Sequence, residues 1–203
     1  MGVTKASQGR GELTPMESRI LRAAVKLFAE KGFDATTVQE VVAYAEVTKG
    51  ALYHYFDSKD DLLYEIYARV LREQMDQLEK VAGTEAPLRE RLTAAASDVV
   101  VSTIANLDDN TIFMQSMHQL NAEKQKAVRA ERRKYHERFR MLVEEGQASG
   151  DFRNDKPPDV VVDFFFGAVH HLGFWYRRSG SLSARQIGDH YAELLLDALR
   201  PPV

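Results

Sequence analysis

The sequence predicts an all-α protein, and three observations support this fold class. The six prolines fall at positions 15, 87, 157, 158, 201 and 202, so two long stretches hold no residue that interrupts a helix. Within those stretches apolar residues recur at intervals of three and four, as in the set Ile20, Ala23, Ala24, Leu27 and Phe28. Strict two-residue alternation bounded by hairpin turns, which would indicate strands, is nowhere convincing. We therefore expect an all-α chain of about nine helices.

Composition and charge exclude several classes of protein. Of the 203 residues, 44% are hydrophobic and 28% charged, which is typical of one large or two small globular domains and unlike a disordered chain. The formal net charge is −3, so any nucleic-acid site must be local. Cysteine is absent, which excludes disulfides and thiol chemistry and agrees with a reducing cytoplasm, where we expect the protein to act.

The amino-terminal segment is expected to precede the first helix. Residues 1–14 mix Lys, Arg, Glu, Gly and Gln, hold no apolar run of signal-peptide length, and are interpreted as a flexible basic arm. The first helix is predicted from about Pro15 to Lys31. Gly32 suits the left-handed position that follows a helix end, and Phe33 supplies the apolar contact that often comes after it.

Capping chemistry places the next two helices. The tetrapeptide TVQE at residues 37–40 is a capping box and predicts a short helix over residues 38–45. After a turn, Thr48 caps a third helix over about residues 49–55. Two short helices joined by a tight turn behind a longer helix describe a helix-turn-helix unit, which we place in residues 15–57.

The outer face of the third helix is predicted to bind DNA. Leu52, Tyr55 and Phe56 fit an inward-facing stripe, and Gly50 on the other side would let the backbone approach a phosphate. Thr37 and Lys59, each at a helix start, would hold phosphates on either side. The candidate DNA-binding residues are therefore Thr37, Thr48, Lys49, Gly50, Tyr53, His54 and Lys59. Taken singly, Tyr53 could equally be a core aromatic and Lys59 a solvated charge.

These motifs resemble the DNA-binding domain of the TetR family of transcriptional repressors. The resemblance rests on F-x-x-x-G-F-x-x-T-T-V over residues 28–38, T-K-G-A-L-Y-H-Y-F over residues 48–56 and S-K-x-x-L over residues 58–62. It implies a homodimer that binds an operator of two-fold symmetry through the seven residues named above and releases it when a small molecule binds. Glu46 stands where the family usually has glycine, so either the turn avoids a positive φ or Glu46 is strained.

Residues 58–203 are expected to form a larger effector-binding and dimerisation domain. Its helices are predicted from Ser58 to about Leu78 and over residues 88–105, 110–119, 122–148, 158–178 and 183–199, separated by polar breaks. Residues 160–176 are apolar almost all round, which predicts burial on two sides. We expect helices 158–178 and 183–199 to pair with their copies in a homodimer as a four-helix bundle.

The same apolar helix offers candidate effector contacts. Phe166, His170 and Phe174 fall at i, i+4 and i+8, and the further candidates are Phe113, Met114, Met117, Tyr135 and Phe139. An aromatic lining with methionine suits a large apolar ligand, although core packing is the alternative for each residue. Residues 175–183 are similar to a segment of TetR-family members that sense acyl-CoA thioesters, which implies such an effector. Basic residues within 122–148 could meet its phosphates or simply pair with neighbouring glutamates.

Two other classes of function find little support in the sequence. The chain has no G-x-S-x-G, P-loop or H-E-x-x-H motif, and the adjacent His170 and His171 point about 100° apart on a helix and cannot chelate one metal. We therefore expect no catalytic residue, metal or cofactor. A membrane adaptor would need an exposed basic amphipathic helix, and the candidate at residues 122–148 has an apolar stripe that more simply faces a core.

Overall fold

The computed structural model describes residues 13–202, and within them the regular structure is helical without a strand. The helices are α1 Pro15–Lys31, α2 Val38–Tyr44, α3 Lys49–Tyr55, α4 Lys59–Ala82, α5 Leu88–Ala105, α6 Leu107–Ser116, α7 Ala122–Ser149, α8 Pro158–His170, α9 Leu172–Trp175 and α10 Ala184–Ala198, with a 3-10 turn over Met117–Gln119. The predicted all-α class is confirmed. The predicted arm falls mostly on residues 1–12, which lie outside the described residues.

Local capping explains where several helices begin and end. The Thr14 hydroxyl accepts a hydrogen bond from the Glu17 amide at 3.2 Å, and the Thr14 amide donates to the Glu17 carboxylate at 2.8 Å. Thr37 and Ser183 begin equivalent capping boxes at α2 and α10. Gly32 ends α1 with a φ of 83°, a conformation that favours glycine. The ends of α1 to α3 therefore follow from side chains within four residues of each boundary.

The chain divides into two compact units. Among the described residues, one unit contains those up to Arg69 together with Asp108–Val128, and the other contains Val70–Leu107 together with those from Arg129 onward. Helices α4 and α7 each contribute residues to both units. These units describe packing rather than ligand binding, so the functional domains proposed for residues 15–57 and 58–203 stay a prediction.

In the first unit, the helices of the helix-turn-helix enclose a small apolar core. Its buried apolar side chains from α1 to α3 and the following loops are Ile20, Leu21, Ala23, Ala24, Leu27, Phe28, Phe33, Val41, Ala45, Leu52 and Phe56. Farther along the same unit, the rings of Tyr67 and Phe113 stack at 3.6 Å. A largely buried ion pair joins Lys124 Nζ to Asp61 Oδ1 at 2.7 Å. The start of α4 is therefore held within this unit by both apolar and charged contacts.

The second unit is built on the close packing of α5 against α10. A Cβ added to Gly188 of α10 would lie 2.7 Å from the Ser97 hydroxyl oxygen and 2.8 Å from the Ser97 carbonyl oxygen of α5. Glycine therefore allows the two helices to approach. The Ser97 hydroxyl also donates a hydrogen bond to Asp189 at 2.8 Å. An aromatic cluster on α7 and α8 continues this core, formed by Tyr135, Phe139, Phe165 and Phe166.

The helix expected over residues 158–178 is interrupted. α8 ends at His170, and the His171 amide donates to the carbonyls of both Gly167 and Ala168, a tightening common at helix ends. The short α9 then begins at Leu172 and ends at Trp175. This break changes which side chains of the segment share a face.

Candidate DNA interface and effector site

Helix α3 presents a polar face because its apolar side chains are used by the core. Leu52 and Phe56 are buried, whereas Lys49, Gly50, Tyr53 and His54 are exposed. The Thr48 hydroxyl caps the helix by accepting from the Ala51 amide at 3.1 Å. The structure thus brings five of the seven predicted DNA-binding residues, Thr48, Lys49, Gly50, Tyr53 and His54, to one short helix and its cap.

Two of these side chains, Lys49 and Tyr53, lie close to each other. The Lys49 ammonium lies 5.7 Å from the centre of the Tyr53 ring, within the range of a cation–π contact. The Tyr53 side chain is 42% exposed, so its hydroxyl is available to an outside partner. This face offers a positive charge, which suits DNA phosphates, and an aromatic hydroxyl, which can hydrogen bond to phosphates or base edges.

Thr37 lies at the start of α2, where its hydroxyl is already used. It accepts from the Glu40 amide at 3.2 Å and donates to Glu40 Oε2 at 2.9 Å. The Lys31 ammonium bonds the same carboxylate at 2.6 Å. The hydrogen bond from Lys31, followed by those from Thr37, lowers the pKa of Glu40 to about 2. A phosphate reaching Thr37 would therefore compete with an ionised carboxylate.

Lys59 makes contacts that the sequence analysis missed. Its ammonium donates to the carbonyl oxygens of Phe33 at 2.7 Å, Thr36 at 3.0 Å and Asp34 at 3.3 Å. It also lies 4.3 Å from the centre of the Phe33 ring. Lys59 thus ties the start of α4 to the loop between α1 and α2, and contact with a phosphate would require it to give up one of these carbonyls.

The inter-helix turn adopts the strained alternative considered for Glu46. Glu46 has a φ of 51°, the left-handed region that glycine would occupy at no steric cost. A terminal nitrogen of Arg19 donates to the carbonyls of Ala45 at 2.6 Å and Glu46 at 3.1 Å. These bonds hold the turn from α1. No local sequence signal could have identified Arg19, since it lies 26 residues before its first acceptor.

The predicted effector residues are divided between the two compact units. Phe113 and Met117 belong to the first compact unit, and Phe113 is fully buried against Tyr67. Tyr135, Phe139, Phe166, His170 and Phe174 belong to the second unit. Met114 is exposed on α6. The effector site as a set therefore stays a prediction.

In the second unit, two histidines lie at the edge of the aromatic cluster. A terminal nitrogen of Arg132 lies 2.9 Å from Nδ1 and 3.2 Å from Nε2 of His170. The His136 ring stacks on Phe166 at 4.0 Å. Burial, followed by the charge of Arg132, lowers the pKa of His170 to about 3 and that of His136 to about 4, the latter opposed by Asp163. Both imidazoles are therefore neutral near pH 7.

Phe174 does not continue the stripe of Phe166 and His170. Because α8 ends at His170, Phe174 falls on α9, where it is 75% exposed and stacks on His171 at 4.8 Å. The expected periodicity of i, i+4 and i+8 is wrong for its last member, since it assumed an uninterrupted helix.

An open cavity lies elsewhere in the second unit. It has a volume of about 220 Å³ and is lined by α4, α5 and, from α7, the side chain of Tyr135. Of the predicted effector residues, Tyr135 alone lines it. The sequence analysis missed its other polar lining, because residues on α4 and α5 are too far apart in sequence to form a recognisable motif.

Helices α8 to α10 leave large apolar side chains exposed. Phe164 is 74% and Val160 60% exposed, and Trp175 and Leu194 are also exposed. A Cβ added to Gly167 would meet nothing within 4 Å. Large apolar side chains exposed on neighbouring helices are typical of an interface between chains. It lies on the helices predicted to form the dimer.

Between residues 13 and 202, no three His, Asp or Glu side chains are grouped so that they could hold a metal ion. No helix in the same range combines the length and the apolar character needed to cross a bilayer.

Two family models match the chain. The model described as "Bacterial regulatory proteins, tetR family" matches residues 20–66, which contain the helix-turn-helix. The model described as "Tetracyclin repressor-like, C-terminal domain" matches residues 85–199, more than half of the chain.

Individual relatives agree with these matches. The chain is 26% identical over 186 residues to the HTH-type transcriptional repressor KstR2 of Rhodococcus jostii, with 91% of each chain covered. A TetR/AcrR-family regulator of Thermobifida fusca is 30% identical, with a TM-score of 0.73 and coverage of 92% of this chain and 100% of that one. AibR, solved in complex with isovaleryl coenzyme A and operator DNA, is 26% identical, with a TM-score of 0.75 and coverage of 93% and 100%.

Proposed function

The chain belongs to the TetR family of DNA-binding transcriptional regulators, which are not enzymes, and from this premise we propose that it is an effector-released repressor. It binds a palindromic operator as a homodimer and leaves it when a small molecule binds. Such a protein acts beside the chromosome, in the cytoplasm, and needs no cofactor or membrane.

The single observation that carries the DNA-binding proposal is the exposed face of α3. Lys49, Tyr53 and His54 extend from a seven-residue helix whose Leu52 is buried. The Thr48 and Lys49 amides stand at the positive end of the helix dipole, next to Gly50, where no side chain blocks a phosphate. Lys59 and Thr37 flank this face and complete the proposed contact set.

The dimer is proposed from the exposed apolar surface of α8 to α10. An isologous pairing of this surface would cover Phe164 and Leu194 in both copies. Two recognition helices related by a two-fold axis reach successive major grooves when they lie about 34 to 36 Å apart. Dimerisation therefore explains how a chain with one short recognition helix achieves operator affinity.

The effector is proposed to bind within residues 58–203, and an acyl-CoA thioester or another large apolar ligand is the proposed class. AibR supports this class, because it was solved with isovaleryl coenzyme A. The candidate contacts are Phe113, Met117, Tyr135, Phe139, Phe166, His170 and Phe174. Helix α4 has 24 residues, about 36 Å at 1.5 Å per residue, and contributes to both compact units. A shift of α4 on effector binding would weaken the operator-binding state.

Operator selection tests the proposal. The purified protein is used to select bound duplexes from a random pool, and the enriched sequence is titrated with wild type, Lys49→Ala and Tyr53→Ala. Each substitution should weaken the enriched sequence about ten- to a hundredfold, and Lys49→Ala should also reduce the salt dependence by about one counterion. Lys134→Ala, which removes an exposed lysine of α7, is the matched control.

If the enriched sequence is a palindrome, and both α3 substitutions weaken its binding while the control does not, the proposed repressor is supported. Enrichment that neither α3 substitution changes would mean that another surface binds the DNA.

A further inference from the structure

The cavity beside α4 and α5 has a chemistry of its own. Its polar lining consists of Glu73, Gln74, Gln77, Asp98, Ser102 and Tyr135, and the remainder is aliphatic. The volume of about 220 Å³ equals the space of about seven water molecules. A ligand that fills it is therefore small, or is one end of a longer molecule.

Tyr135 brings a hydroxyl to this cavity. Its side chain is only 4% exposed and lines the cavity. Buried tyrosine hydroxyls ordinarily find a partner. Burial, followed by the charge of Asp98, raises the pKa of Tyr135 far above its ordinary value, so the phenol keeps its proton. The hydroxyl therefore stands ready both to donate and to accept.

The neighbouring polar groups are bonded mainly among themselves. The Gln74 amide donates to the Ser102 hydroxyl at 3.3 Å, and the Gln77 amide donates to Asp98 at 3.3 Å. These bonds orient the Asp98 carboxylate beside Tyr135 and leave it with acceptor capacity.

The charge of the lining is negative. Asp98 contributes a carboxylate, and no Lys or Arg is among the described lining residues. Arg185 lies 3.5 Å from Asp98, but its side chain is 63% exposed and also pairs with Asp189 at 3.0 Å. A positive charge shared at the surface screens Asp98 only partly. The cavity therefore disfavours an anion.

We propose that this cavity binds the hydroxyl- or amine-bearing end of the effector. Asp98 accepts a hydrogen bond from that end, and the Tyr135 hydroxyl makes a second hydrogen bond to it. The apolar part of the ligand lies against Leu78, Val81 and Val99. This inference rests on the proposed effector-responsive function and narrows it: the phosphates of a thioester effector stay outside the cavity, and only a neutral or cationic group enters.

Three matched probes test the charge preference: 2-phenylethylamine, 2-phenylethanol and phenylacetate, which share a ring and differ in the polar end. Calorimetric titration of the full-length protein near neutral pH should show the amine and the alcohol binding at least about tenfold more tightly than phenylacetate. Asp98→Asn should weaken the binding of the amine about tenfold and that of the alcohol less. Tyr135→Phe should weaken the binding of both about fivefold.

A control variant separates local from general charge effects. Asp76→Asn removes an exposed carboxylate from α4 outside the cavity and should leave all three affinities unchanged. Phenylacetate binding as tightly as the amine to wild type would overturn the proposal without reliance on any variant. So would the absence of binding by all three probes up to about 10 mM.

The same protein preparation distinguishes this inference from the proposed function. Protein that binds an operator but none of the probes contradicts the cavity inference alone. Protein that binds the amine and the alcohol but enriches no operator contradicts the proposed repressor alone.

Discussion

Helices α3 and α8 expose opposite chemistry. On α3 the exposed side chains include Lys49, Tyr53 and His54, whereas on α8 they include Val160 and Phe164. A charged and aromatic face suits a polyanion, and an apolar face suits another apolar surface. Each helix buries its other side in its own unit, so the difference lies in the partner that each exposed face is built to meet.

A glycine on each helix supports the same conclusion. A Cβ at Gly50 would come no closer than 3.9 Å to Thr48 Oγ1, and one at Gly167 would meet nothing within 4 Å. Glycine lowers helix stability, so a helical glycine with room for a side chain has no internal reason to be there. Gly146 is the contrast, because its Cβ would lie 2.0 Å from the Phe152 ring. Gly50 and Gly167 thus leave room for close approach by the proposed DNA and the proposed second subunit.

The largest expected effect comes from placing a charge on the apolar face of α8. Phe164→Glu should leave the monomer folded, because Phe164 is 74% exposed, but should weaken the dimer at least about a hundredfold by burying two unpaired carboxylates. Light scattering after size exclusion should give a mass near 23.0 kDa instead of twice that value. Operator affinity should fall with it.

Phe164→Leu is the matched control, since it keeps an apolar side chain. A Phe164→Glu protein that remains a dimer would break the comparison, because the exposed face of α8 would then have no role in association.

Gly50→Ala tests the polar face with a smaller expected effect. The alanine has space within the chain and should hold or raise the stability of α3, by up to about 1 kcal/mol, while weakening the operator about tenfold by blocking close approach to the phosphate. Thermal unfolding and operator titration of the same sample measure both changes. Gly146→Ala should instead lower the melting temperature. Unchanged operator affinity in Gly50→Ala would show that this face stands away from the DNA.

The histidines His136 of α7 and His170 of α8 give the smallest expected effect. The folded-state pKa values of about 3 for His170 and about 4 for His136 lie below the ordinary value of about 6.5. The unfolded chain therefore binds more protons below pH 6.5, so stability is highest above that pH and falls as the pH drops. Since both rings stay partly accessible, we expect a loss of about 1 to 2 kcal/mol between pH 7 and pH 5.

Denaturant unfolding at several pH values measures this loss. His170→Gln should make the free energy of unfolding less dependent on pH in this window, and the exposed His190→Gln should not. Equal pH dependence in wild type and His170→Gln would show that His170 titrates normally in the folded chain.

The amino-terminal helices were largely predictable. The bounds of α1 and α3 agree with those expected, and α2 ends within one residue, because Thr37, Thr48 and Gly32 act on amides and carbonyls within a few positions. The outward face of α3 followed from the same phase. The Arg19 bonds to the turn and the Lys59 bonds to the α1–α2 loop could not be predicted, since each spans more than twenty residues.

The carboxyl-terminal half shows the same limit more strongly. Residues 158–170 and 172–175 were correctly expected to be helical, but the break at His171, the helix end at Trp175 and the exposure of Phe174 were not expected. Its predicted effector residues lie in two compact units.

The sequence by itself determined the helical class, the helix-turn-helix and its polar face, because capping and apolar spacing act over three or four residues. Only the tertiary structure decided which distant side chains meet. Tyr135 and Asp98 share a cavity although 37 positions separate them, and the Arg132 contact that adds to burial in keeping His170 neutral spans 38. Such meetings depend on how whole helices pack, and no local pattern encodes them.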